Sequence, residues 1–424
     1  MKYQVCLPYG DDKVEFSMPE RNLVGTFAPE SVAPVADAGE EIRRALSHPL
    51  DTSPVGETVR PGEQVLILVD DHTRKTPVAL ILSHLLEQLG ASGVRSTDVT
   101  IMIANGAHRL SSDAEVLRKV GQQVYGRYRI AQHRCDDERN QVYLGLTSRG
   151  TPVWVNRLVV ETDRCFGIGH IDPSTFAGYA GGHKLLVPGI ASLDTINANH
   201  TLVTLGFRQH GCVGVPCRLD IEEAGSMVRV DMFINAVLCQ DGQIARVYAG
   251  SPGCVFHEGV KLARQVYEVT CPREVDVAIT SGYPYDLDLY QAVRAVQFAD
   301  NVVREGGSIM LAAPCNDGVG SQDFYRLLAE PDKRPDDFLR AVVRRNGKVA
   351  YNILGYILAR ISTEKRLYAV TDGISQEELK KVGFRCPTSL QAGVNTLLEE
   401  YGPEASVAIF PVGSATVPRV SNVA

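Results

Sequence analysis

The chain has 424 residues with 44% hydrophobic and 22% charged side chains, an ordinary globular composition that excludes disordered, collagen-like and fibrous proteins. Lys and Arg total 43 against 50 Asp and Glu, a net charge of -7, and without a basic tract this balance predicts no nucleic-acid partner. No apolar run approaches the roughly 20 residues of a membrane-spanning helix, and residues 1–10 lack the pattern of a signal peptide, so we expect a cytoplasmic protein with no membrane contact.

Short apolar runs typical of buried strands recur along the chain and alternate with longer amphipathic stretches. The runs are 65–69, 99–104, 165–169, 275–280, 308–313, 366–370 and 407–410. After the first run, Thr76 and Pro77 predict the start of a helix, with Thr76 as its N-cap. Strands that alternate with helices indicate βαβ units, and therefore an α/β protein whose mostly parallel sheets are flanked by helices.

The length of the chain predicts two or three domains, and two lobes of roughly 270 and 150 residues fit that expectation. A new strand begins just after residues 270–274, so the expected boundaries are 1–269 for the first lobe and 270–424 for the second. Ligands of parallel sheets bind beside the carboxyl ends of the strands, often in a cleft between lobes. We therefore expect the active site in the interlobe cleft, built from the polar residues that follow each strand.

Polar residues come directly after the first of these strands. Asp71, Thr73 and Arg74 precede the predicted helix, where backbone N–H groups and the helix dipole favour an anion. The guanidinium group of Arg74 can hold a carboxylate or a phosphate through two hydrogen bonds. A helix cap with solvated charges is the alternative interpretation.

His108 follows the second strand, on a turn that contains Gly106. A histidine at the carboxyl end of a strand is well placed to act as a general base. The alternative is a histidine with a structural role alone.

The segment 169–184 is the richest in candidate functional residues. Gly181 and Gly182 let the backbone approach a ligand closely, and Lys184 is a candidate phosphate contact or nucleophilic amine. The other candidates in or shortly after the segment are His170, Ser174, His183 and His200. The glycine spacing matches neither a Walker A loop nor the fingerprint G-x-G-x-x-G, and a glycine-rich packing loop is the alternative.

A fourth group of candidates lies in the second lobe, at residues 290–294. Gln291 and Arg294 are three residues apart, so on a helix they share one face, close to Tyr290. Such a face can bind a substrate carboxylate. The alternative is a solvated helix surface.

Together, the segments from Asp70 to Arg294 resemble the nickel-pincer-nucleotide lactate racemase family in order and spacing. The resemblance implies two α/β lobes and a pyridinium mononucleotide cofactor, with thioamide and thiocarboxylic acid groups, that holds nickel through two sulfurs and a carbon. It implies that Lys184 tethers the cofactor covalently, that His200 is the protein ligand of nickel, and that His108 is a catalytic acid/base. The residues it places near the cofactor are Asp71, Thr73, Arg74, Gly181 and Gly182, and those it assigns to the substrate are Arg74, Tyr290, Gln291 and Arg294.

The implied reaction inverts C2 of a 2-hydroxy acid. The Cα–H of such an acid is too weakly acidic for a side-chain base, whereas loss of hydride together with the hydroxyl proton gives a planar 2-keto acid. Return of the hydride to the opposite face inverts the centre. The expected partners are the small-molecule 2-hydroxy acid and the enzymes that synthesise the cofactor.

Three residues depart from the family pattern. Ser174 stands where the lactate racemases have a second catalytic histidine, so His170 and His183 are candidates to replace that histidine. His183 also stands where an arginine often precedes the tethering lysine, and Arg294 stands where lactate racemase has a lysine. These departures predict a substrate other than lactate and leave the cofactor machinery intact.

Two alternatives stay open at this point. The first is a conventional α/β enzyme in which Lys184 forms a Schiff base or holds a phosphate. The second is a non-catalytic carrier or sensor of nickel or cofactor that has lost the second base.

Overall fold

The computed structural model describes residues 1–30, 32–205, 210–331, 333–345 and 348–421. The strands are β1 (Lys2–Tyr9), β2 (Asp12–Pro19), β3 (Leu23–Thr26), β4 (Val65–Asp70), β5 (Val99–Ala104), β6 (Arg129–Gln132), β7 (Gln141–Leu146), β8 (Pro152–Asn156), β9 (Arg164–His170), β10 (Pro173–Ser174), β11 (Gly178–Tyr179), β12 (Met232–Leu238), β13 (Ile244–Gly250), β14 (Glu268–Cys271), β15 (Val275–Ser281), β16 (Val303–Ala312), β17 (Arg366–Val370), β18 (Val407–Phe410) and β19 (Val417–Val420).

The helices alternate with these strands along much of the chain. The α-helices are α1 (Ala38–Ser47), α2 (Val55–Thr58), α3 (Val78–Ala91), α4 (Asp113–Val120), α5 (Leu158–Glu161), α6 (Leu193–Thr201), α7 (Pro216–Ser226), α8 (Pro252–Tyr267), α9 (Leu289–Ala299), α10 (Gln322–Leu328), α11 (Pro335–Val343), α12 (Val349–Glu364), α13 (Gln376–Lys381) and α14 (Leu390–Tyr401). Short 3-10 helices lie at Glu20–Asn22, Ser96–Asp98, Glu138–Asn140, Gly182–Leu185, Leu202–Leu205 and Gly413–Ala415. Within the described ranges, no helix is both long enough and apolar enough to cross a membrane.

The chain forms two compact units. The first unit contains the described residues of 32–203 and 212–266, and the second contains those of 1–30, 204–211 and 267–424. The last of these segments starts close to the predicted boundary at residue 270. The first thirty residues differ from the prediction, which assigned them to the first lobe, because β3 pairs in parallel with β18 of the second unit.

The first unit is built on a six-stranded sheet of order β13-β12-β9-β4-β5-β6. Neighbouring strands are parallel except β12 and β13, which are antiparallel. Side chains of α1 and α3, among them Ile42, Leu82 and Leu85, join the strand residues in one buried core. The apolar runs at 65–69, 99–104 and 165–169 are confirmed as β4, β5 and β9.

The second unit contains a five-stranded sheet of order β17-β16-β15-β18-β3, in which every neighbouring pair is parallel. The runs in the second half of the chain become β15, β16, β17 and β18. The antiparallel hairpin of β1 and β2 contributes Leu7, Phe16 and Met18 to the core of this sheet. Helices between parallel strands confirm the predicted α/β class.

The first predicted helix starts later than its sequence indicates. Helix α3 begins at Val78 with Pro77 in the N-cap position, and no side chain caps it. The prediction of Thr76 as the N-cap was wrong, because its hydroxyl group instead donates to Asp70 Oδ2 and lies 2.6 Å from His170 Nδ1. Thr76 therefore links the carboxyl ends of β4 and β9.

Candidate active site

Three of the predicted segments meet at one edge of the first sheet. Strand β4 lies between β5 and β9, and all three run in the same direction. Their carboxyl ends therefore share an edge, which carries Asp71 after β4, His108 after β5 and His170 at the end of β9. This is the edge at which parallel sheets bind their ligands.

Asp71 and His108 form a hydrogen-bonded pair. Nδ1 of His108 lies 2.6 Å from Asp71 Oδ2, while Asp71 Oδ1 accepts hydrogen bonds from the backbone N–H of Thr73 at 3.0 Å and from its hydroxyl group at 2.5 Å. Asp71 is buried, whereas 45% of the His108 side chain is exposed. With Nδ1 directed at the carboxylate, Nε2 of His108 is the nitrogen available to a ligand.

The carboxyl group of Asp71 is held in its ionised form. Burial alone raises the pKa of this group, but the hydrogen bond and positive charge of His108, with the charge of Arg74, lower that pKa well below its ordinary value. An ionised Asp71 fixes the orientation of the imidazole ring and stabilises its protonated form. The pair is therefore suited to accept and return a proton.

The loop that carries His108 is fastened at its start. The backbone N–H of Gly106 donates to the carbonyl of Gly189 at 2.9 Å, and the side-chain amide of Asn105 donates to the carbonyl of His133 at 3.2 Å. Gly106 has a positive φ of 55°, and a Cβ there would lie 3.3 Å from the carbonyl oxygen of Pro188. A glycine is thus needed where this loop meets the segment that follows Lys184.

His133, which supports this loop, carries a prediction for pH. Its Nε2 lies 2.9 Å from the carbonyl of Ala191, and its Nδ1 lies 3.2 Å from the amide nitrogen of Asn156. The ring must be neutral to donate through Nε2 and accept at Nδ1, and burial lowers its pKa below 6.5. The stability that the neutral ring contributes is therefore complete above about pH 6.5 and is lost as the pH falls towards the lowered folded-state pKa, because the unfolded chain binds the extra proton.

We expect His133→Gln to flatten the dependence of folding stability on pH. The test is urea unfolding at about pH 7.5 and about pH 5, a range that spans the ordinary histidine pKa. The stability difference between the two pH values should be smaller in His133→Gln than in the unaltered chain. His48→Gln, at an exposed histidine of the same unit, is the control. Equal pH dependence in the His133 variant and the unaltered chain would show that the ring is not held neutral.

His170 lies in a buried network of charges behind the pair. Lys119 Nζ is 2.5 Å from Asp70 Oδ1, and His170 lies between two carboxylates, with Nδ1 3.5 Å from Asp70 Oδ2 and Nε2 3.5 Å from Asp172 Oδ1. Thr76 joins the same network. Both ring nitrogens of His170 thus face protein groups, and its role as a second acid/base stays a prediction.

Ser174 and Lys184 are brought together by a small hairpin. Strands β10 and β11 pair antiparallel, with Ser174 opposite Gly178. The Nζ of Lys184 lies 3.4 Å from Ser174 Oγ, which also accepts a hydrogen bond of 3.3 Å from the backbone N–H of Ala177. Ser174, where the family resemblance leads us to expect a second catalytic histidine, therefore lies beside the amine of Lys184, the candidate tether.

We expect Gly178→Ala to destabilise the protein strongly. Gly178 has a φ of +73°, and a Cβ there would lie 2.1 Å from the backbone oxygen of Cys212. Gly126→Ala is the matched control, because Gly126 has a φ of +84° with nothing within 4 Å of the added Cβ. The left-handed backbone costs about 1–2 kcal/mol in both variants, and the clash adds roughly 1–3 kcal/mol at Gly178 alone. Urea unfolding measures both, and equal losses of stability would contradict the close approach.

His183 faces helix α7 and the sheet. Its Nδ1 lies 2.5 Å from Glu222 Oε2, and its ring meets that of Phe233 edge-on at 6.0 Å. A Cβ on Gly225 would lie 2.4 Å from the imidazole ring, so the ring packs closely on α7. These contacts describe a buried histidine paired with a carboxylate, and its assignment as a second base stays a prediction.

His200 presents a partly buried imidazole from helix α6. Burial lowers its pKa to about 3, and the positive charges of Lys184 and His108 act in the same direction. Within the described residues, its Nδ1 is buried and has no hydrogen-bond partner. The ring meets Phe176 edge-on at 5.4 Å. A neutral imidazole with an unsatisfied nitrogen fits the role of a metal ligand.

A polar cluster at the contact of α6 with α7 orients this part of the chain. The amide nitrogen of Asn199 donates to the carbonyl of Cys217 at 3.0 Å and to Asp220 Oδ2 at 2.8 Å. Asp220 also accepts from Thr147 and Thr151. Burial raises the pKa of Cys217 to about 12, so this neighbouring thiol stays protonated. In the part of the chain that the structure describes, no group of three or more His, Cys, Asp or Glu is arranged to hold a metal ion.

Three of the four predicted substrate-binding residues lie on α9 of the second unit, and the fourth, Arg74, follows β4 in the first unit. The Nε2 of Gln291 lies 3.4 Å from the N-cap carboxylate of Asp288. The guanidinium group of Arg294 stacks on the ring of Tyr285 at 4.8 Å, and Tyr290 meets the ring of Phe324 edge-on at 5.1 Å. All three residues follow β15 in the chain, as the sequence predicts.

Several contacts of the site were missed by the sequence analysis. Asn235 Oδ1 accepts a hydrogen bond of 2.8 Å from the backbone N–H of Gly182, and Arg218 donates to backbone carbonyls of the same glycine-rich segment. One signal was present for Asn235, since it is a polar residue within an otherwise apolar, buried strand, β12. Arg218 gives no such signal, because its contacts form only when α7 packs on the segment.

Comparison with known proteins adds an independent line of evidence. The model of the lactate racemase N-terminal domain matches residues 9–210, and that of the lactate racemase C-terminal domain matches residues 270–417. The chain is 27% identical to the lactate racemase of Thermoanaerobacterium thermosaccharolyticum, with 97% of this chain and 98% of the relative aligned. It is 26% identical to the lactate racemase of Lactiplantibacillus plantarum, over 97% and 99% of the two chains.

Solved structures agree with these matches. The lactate racemase apoprotein from Thermoanaerobacterium thermosaccharolyticum superposes with a TM-score of 0.89 at 26% identity, covering 98% of this chain and all of the other. A Thermotoga maritima protein shares the fold, with a TM-score of 0.71 at 19% identity over 93% of this chain and all of that protein. The domain order and architecture are thus those of characterised racemases.

Proposed function

Because this chain belongs to the lactate racemase family, we propose that it is an isomerase that inverts C2 of a 2-hydroxy acid with the help of a nickel-pincer nucleotide tethered to Lys184. The observation that carries the proposal is the imidazole of His200, whose Nδ1 is buried and has no hydrogen-bond partner within the described residues, together with the electrostatic effect of Lys184 and His108 on that ring. These are the three residue types that the reaction needs: a metal ligand, an amine for the tether and an acid/base. They belong to one compact unit.

The site residues fit the cofactor on grounds of their own chemistry. The unsatisfied Nδ1 of His200 suits nickel, which binds imidazole well. Gly181 and Gly182 have positive φ values, and their lack of a Cβ lets the segment before Lys184 pack closely against Asn235 and Arg218. Asp71, Thr73 and Arg74 would hold the nucleotide part, and Lys184 would form the covalent bond. When bound, the cofactor supplies the acceptor of the hydride that leaves C2.

The protein's own contribution is proton transfer and orientation. His108 Nε2 accepts the proton of the substrate hydroxyl group, and Asp71 stabilises the imidazolium ion that results. The proton returns to the same oxygen when the keto acid is reduced. Arg74 holds the substrate carboxylate, with Gln291, Arg294 and Tyr290 as the predicted substrate residues of the second unit. The residues proposed to hold the cofactor and the proposed acid/base, His108, therefore all belong to the first unit.

The residues around Ser174 favour a 2-hydroxy acid other than lactate. Ser174 stands in place of the second histidine, and its hydroxyl group contacts the Nζ of Lys184 and the backbone N–H of Ala177 rather than an imidazole or a carboxylate. Arg294 offers two parallel hydrogen bonds, which suits a larger or differently placed acid group.

We propose that the reaction takes place in the cytoplasm and that the enzymes of cofactor synthesis are its protein partners.

The test is to produce the chain with and without the cofactor-synthesis enzymes and to measure nickel content and intact mass. Covalent loading should raise the mass by a few hundred daltons and bring nickel with it, only after co-production. The loaded protein is then given single enantiomers of a panel of 2-hydroxy acids, including lactate and sugar acids, and chiral analysis follows inversion at C2.

The outcomes separate the proposal from its alternatives. Co-produced protein with neither nickel nor added mass would overturn the cofactor assignment. Loaded protein without exchange of the substrate α-hydrogen across the panel would favour a non-catalytic carrier. Borohydride trapping of a carbonyl substrate on Lys184 without nickel would favour a Schiff-base enzyme.

A further inference from the structure

We propose that Arg218, Glu222 and His183 form a positioning network that fixes the direction of Lys184. The proposal rests on the proposed function, since it concerns the lysine to which the cofactor would be attached. The network joins α7 to the glycine-rich segment 179–184, which Asn235 also contacts. None of its three members needs to touch the substrate.

Arg218 holds the carbonyl groups of the glycine-rich segment. Its side chain is 1% exposed, and its Nη1 donates to the carbonyl of Tyr179 at 3.3 Å and to that of Gly181 at 3.2 Å. Its guanidinium plane lies 3.4 Å from the ring centre of Phe256. The planar guanidinium group has several donors in fixed positions, so it can donate to two carbonyl groups at once. A lysine ammonium group is less suited to this.

Glu222 balances the buried charge of Arg218. The two side chains lie one helical turn apart on α7 and form an ion pair. The other oxygen of Glu222 lies 2.5 Å from His183 Nδ1. Burial raises the pKa of Glu222, but its hydrogen bond with His183 and the charge of Arg218 lower that pKa below its ordinary value. A buried charge needs such a partner, so Arg218 keeps its place only while Glu222 is ionised.

The segment is also held from the side of the sheet. The backbone N–H of Gly182 donates to Asn235 Oδ1 at 2.8 Å. A Cβ on Gly182 would lie 3.0 Å from Phe256 Cβ and 3.1 Å from Arg218 Nη2, so only a glycine fits between the network and the sheet without displacement. Lys184 follows two residues later, and His183, which precedes it, is itself bonded to Glu222. The two residues that precede Lys184, Gly182 and His183, are thus both held by contacts, and together they set the direction of its side chain.

The experiment measures the reactivity of the Lys184 amine in protein produced without the cofactor-synthesis enzymes. The variant is Arg218→Met, which keeps most of the volume and removes the donors. Peptide mass spectrometry follows acetylation of Lys184 and, as an internal reference, of the exposed Lys261. We expect the rate at Lys184 to change about tenfold in Arg218→Met, the factor that corresponds to the loss of one hydrogen bond to a charged group. The rate at Lys261 should not change.

Arg164→Met is the matched control for general loss of stability. Arg164 is another arginine of this unit with fixed carboxylate partners, Glu63 at 2.9 Å and Asp231 at 3.1 Å, but it lies at the start of β9, the end remote from His170. This variant should lower the melting temperature and leave the rate at Lys184 unchanged. His183→Asn, whose amide can replace the Nδ1 donor to Glu222, should stay close to the unaltered chain, whereas His183→Ala should resemble Arg218→Met.

A second readout is the extent of covalent loading after co-production with the synthesis enzymes. Loading should fall in Arg218→Met and be kept in Arg164→Met. Unchanged Lys184 acetylation and unchanged loading in a folded Arg218→Met protein would overturn the network. If the unaltered chain does not load cofactor but its Lys184 acetylation still depends on Arg218, the proposed function fails and the network stands.

Discussion

Replacing His108 by alanine is expected to abolish turnover while the cofactor stays attached. Removal of a positioned acid/base costs about 10²–10⁴-fold in rate, and His108 is the histidine whose ring Asp71 orients. The tether depends on Lys184, so intact mass should show the same covalent load in His108→Ala as in the unaltered protein. Racemisation of one enantiomer, followed by chiral chromatography, measures the activity.

Two further variants sharpen this test. Asp71→Asn keeps the shape of the pair but removes the charge that stabilises a protonated His108, so its loss of activity should be smaller than that of His108→Ala and concentrated in kcat. His84→Ala, at a histidine of the same unit on α3, is the control and should retain full activity. Full activity of His108→Ala with normal loading would show that another group takes the hydroxyl proton.

Seven of the eleven strands in the six-stranded and five-stranded sheets could be predicted from the sequence because each is a local apolar run, whereas β3, β6, β12 and β13 were missed. Every residue of β4 is buried, so the apolar run 65–69 carries the information locally. The place of β3 could not be predicted in this way. Leu23 pairs with Val407, and nothing within a window of a few residues indicates a partner so distant in the sequence.

Part of the candidate site could also be located from local sequence. Asp71 and His108 each follow a strand and His170 ends one, and parallel neighbouring strands bring such ends together. The partners of these residues could not be located. Thr76 has the sequence features of an N-cap, yet its hydroxyl group bonds to Asp70, because that carboxylate is buried beside it and needs a donor.

Replacing Lys184 by alanine is expected to prevent covalent loading altogether. The side chain is held beside Ser174 by the hairpin of β10 and β11, and its amine is the group that forms the tether in the proposed function. Lys184→Arg is the sharper variant, since it keeps the positive charge beside His200 but lacks a primary amine. Both variants should show the mass of the unloaded chain after co-production.

Lys261→Ala is the control for this measurement, because Lys261 is an exposed lysine of the same unit, paired with Glu258 on the surface. It should load normally. A covalent cofactor on Lys184→Arg would place the tether at another residue. We expect loading to be lost in both Lys184→Ala and Lys184→Arg and kept in Lys261→Ala. Because Lys184→Arg keeps the positive charge, this result would show that loading needs the primary amine and not the charge alone. The glycine-rich segment would then be the part of the chain that presents the amine of Lys184 to the cofactor, held in place by contacts with Arg218 of α7 and with Asn235.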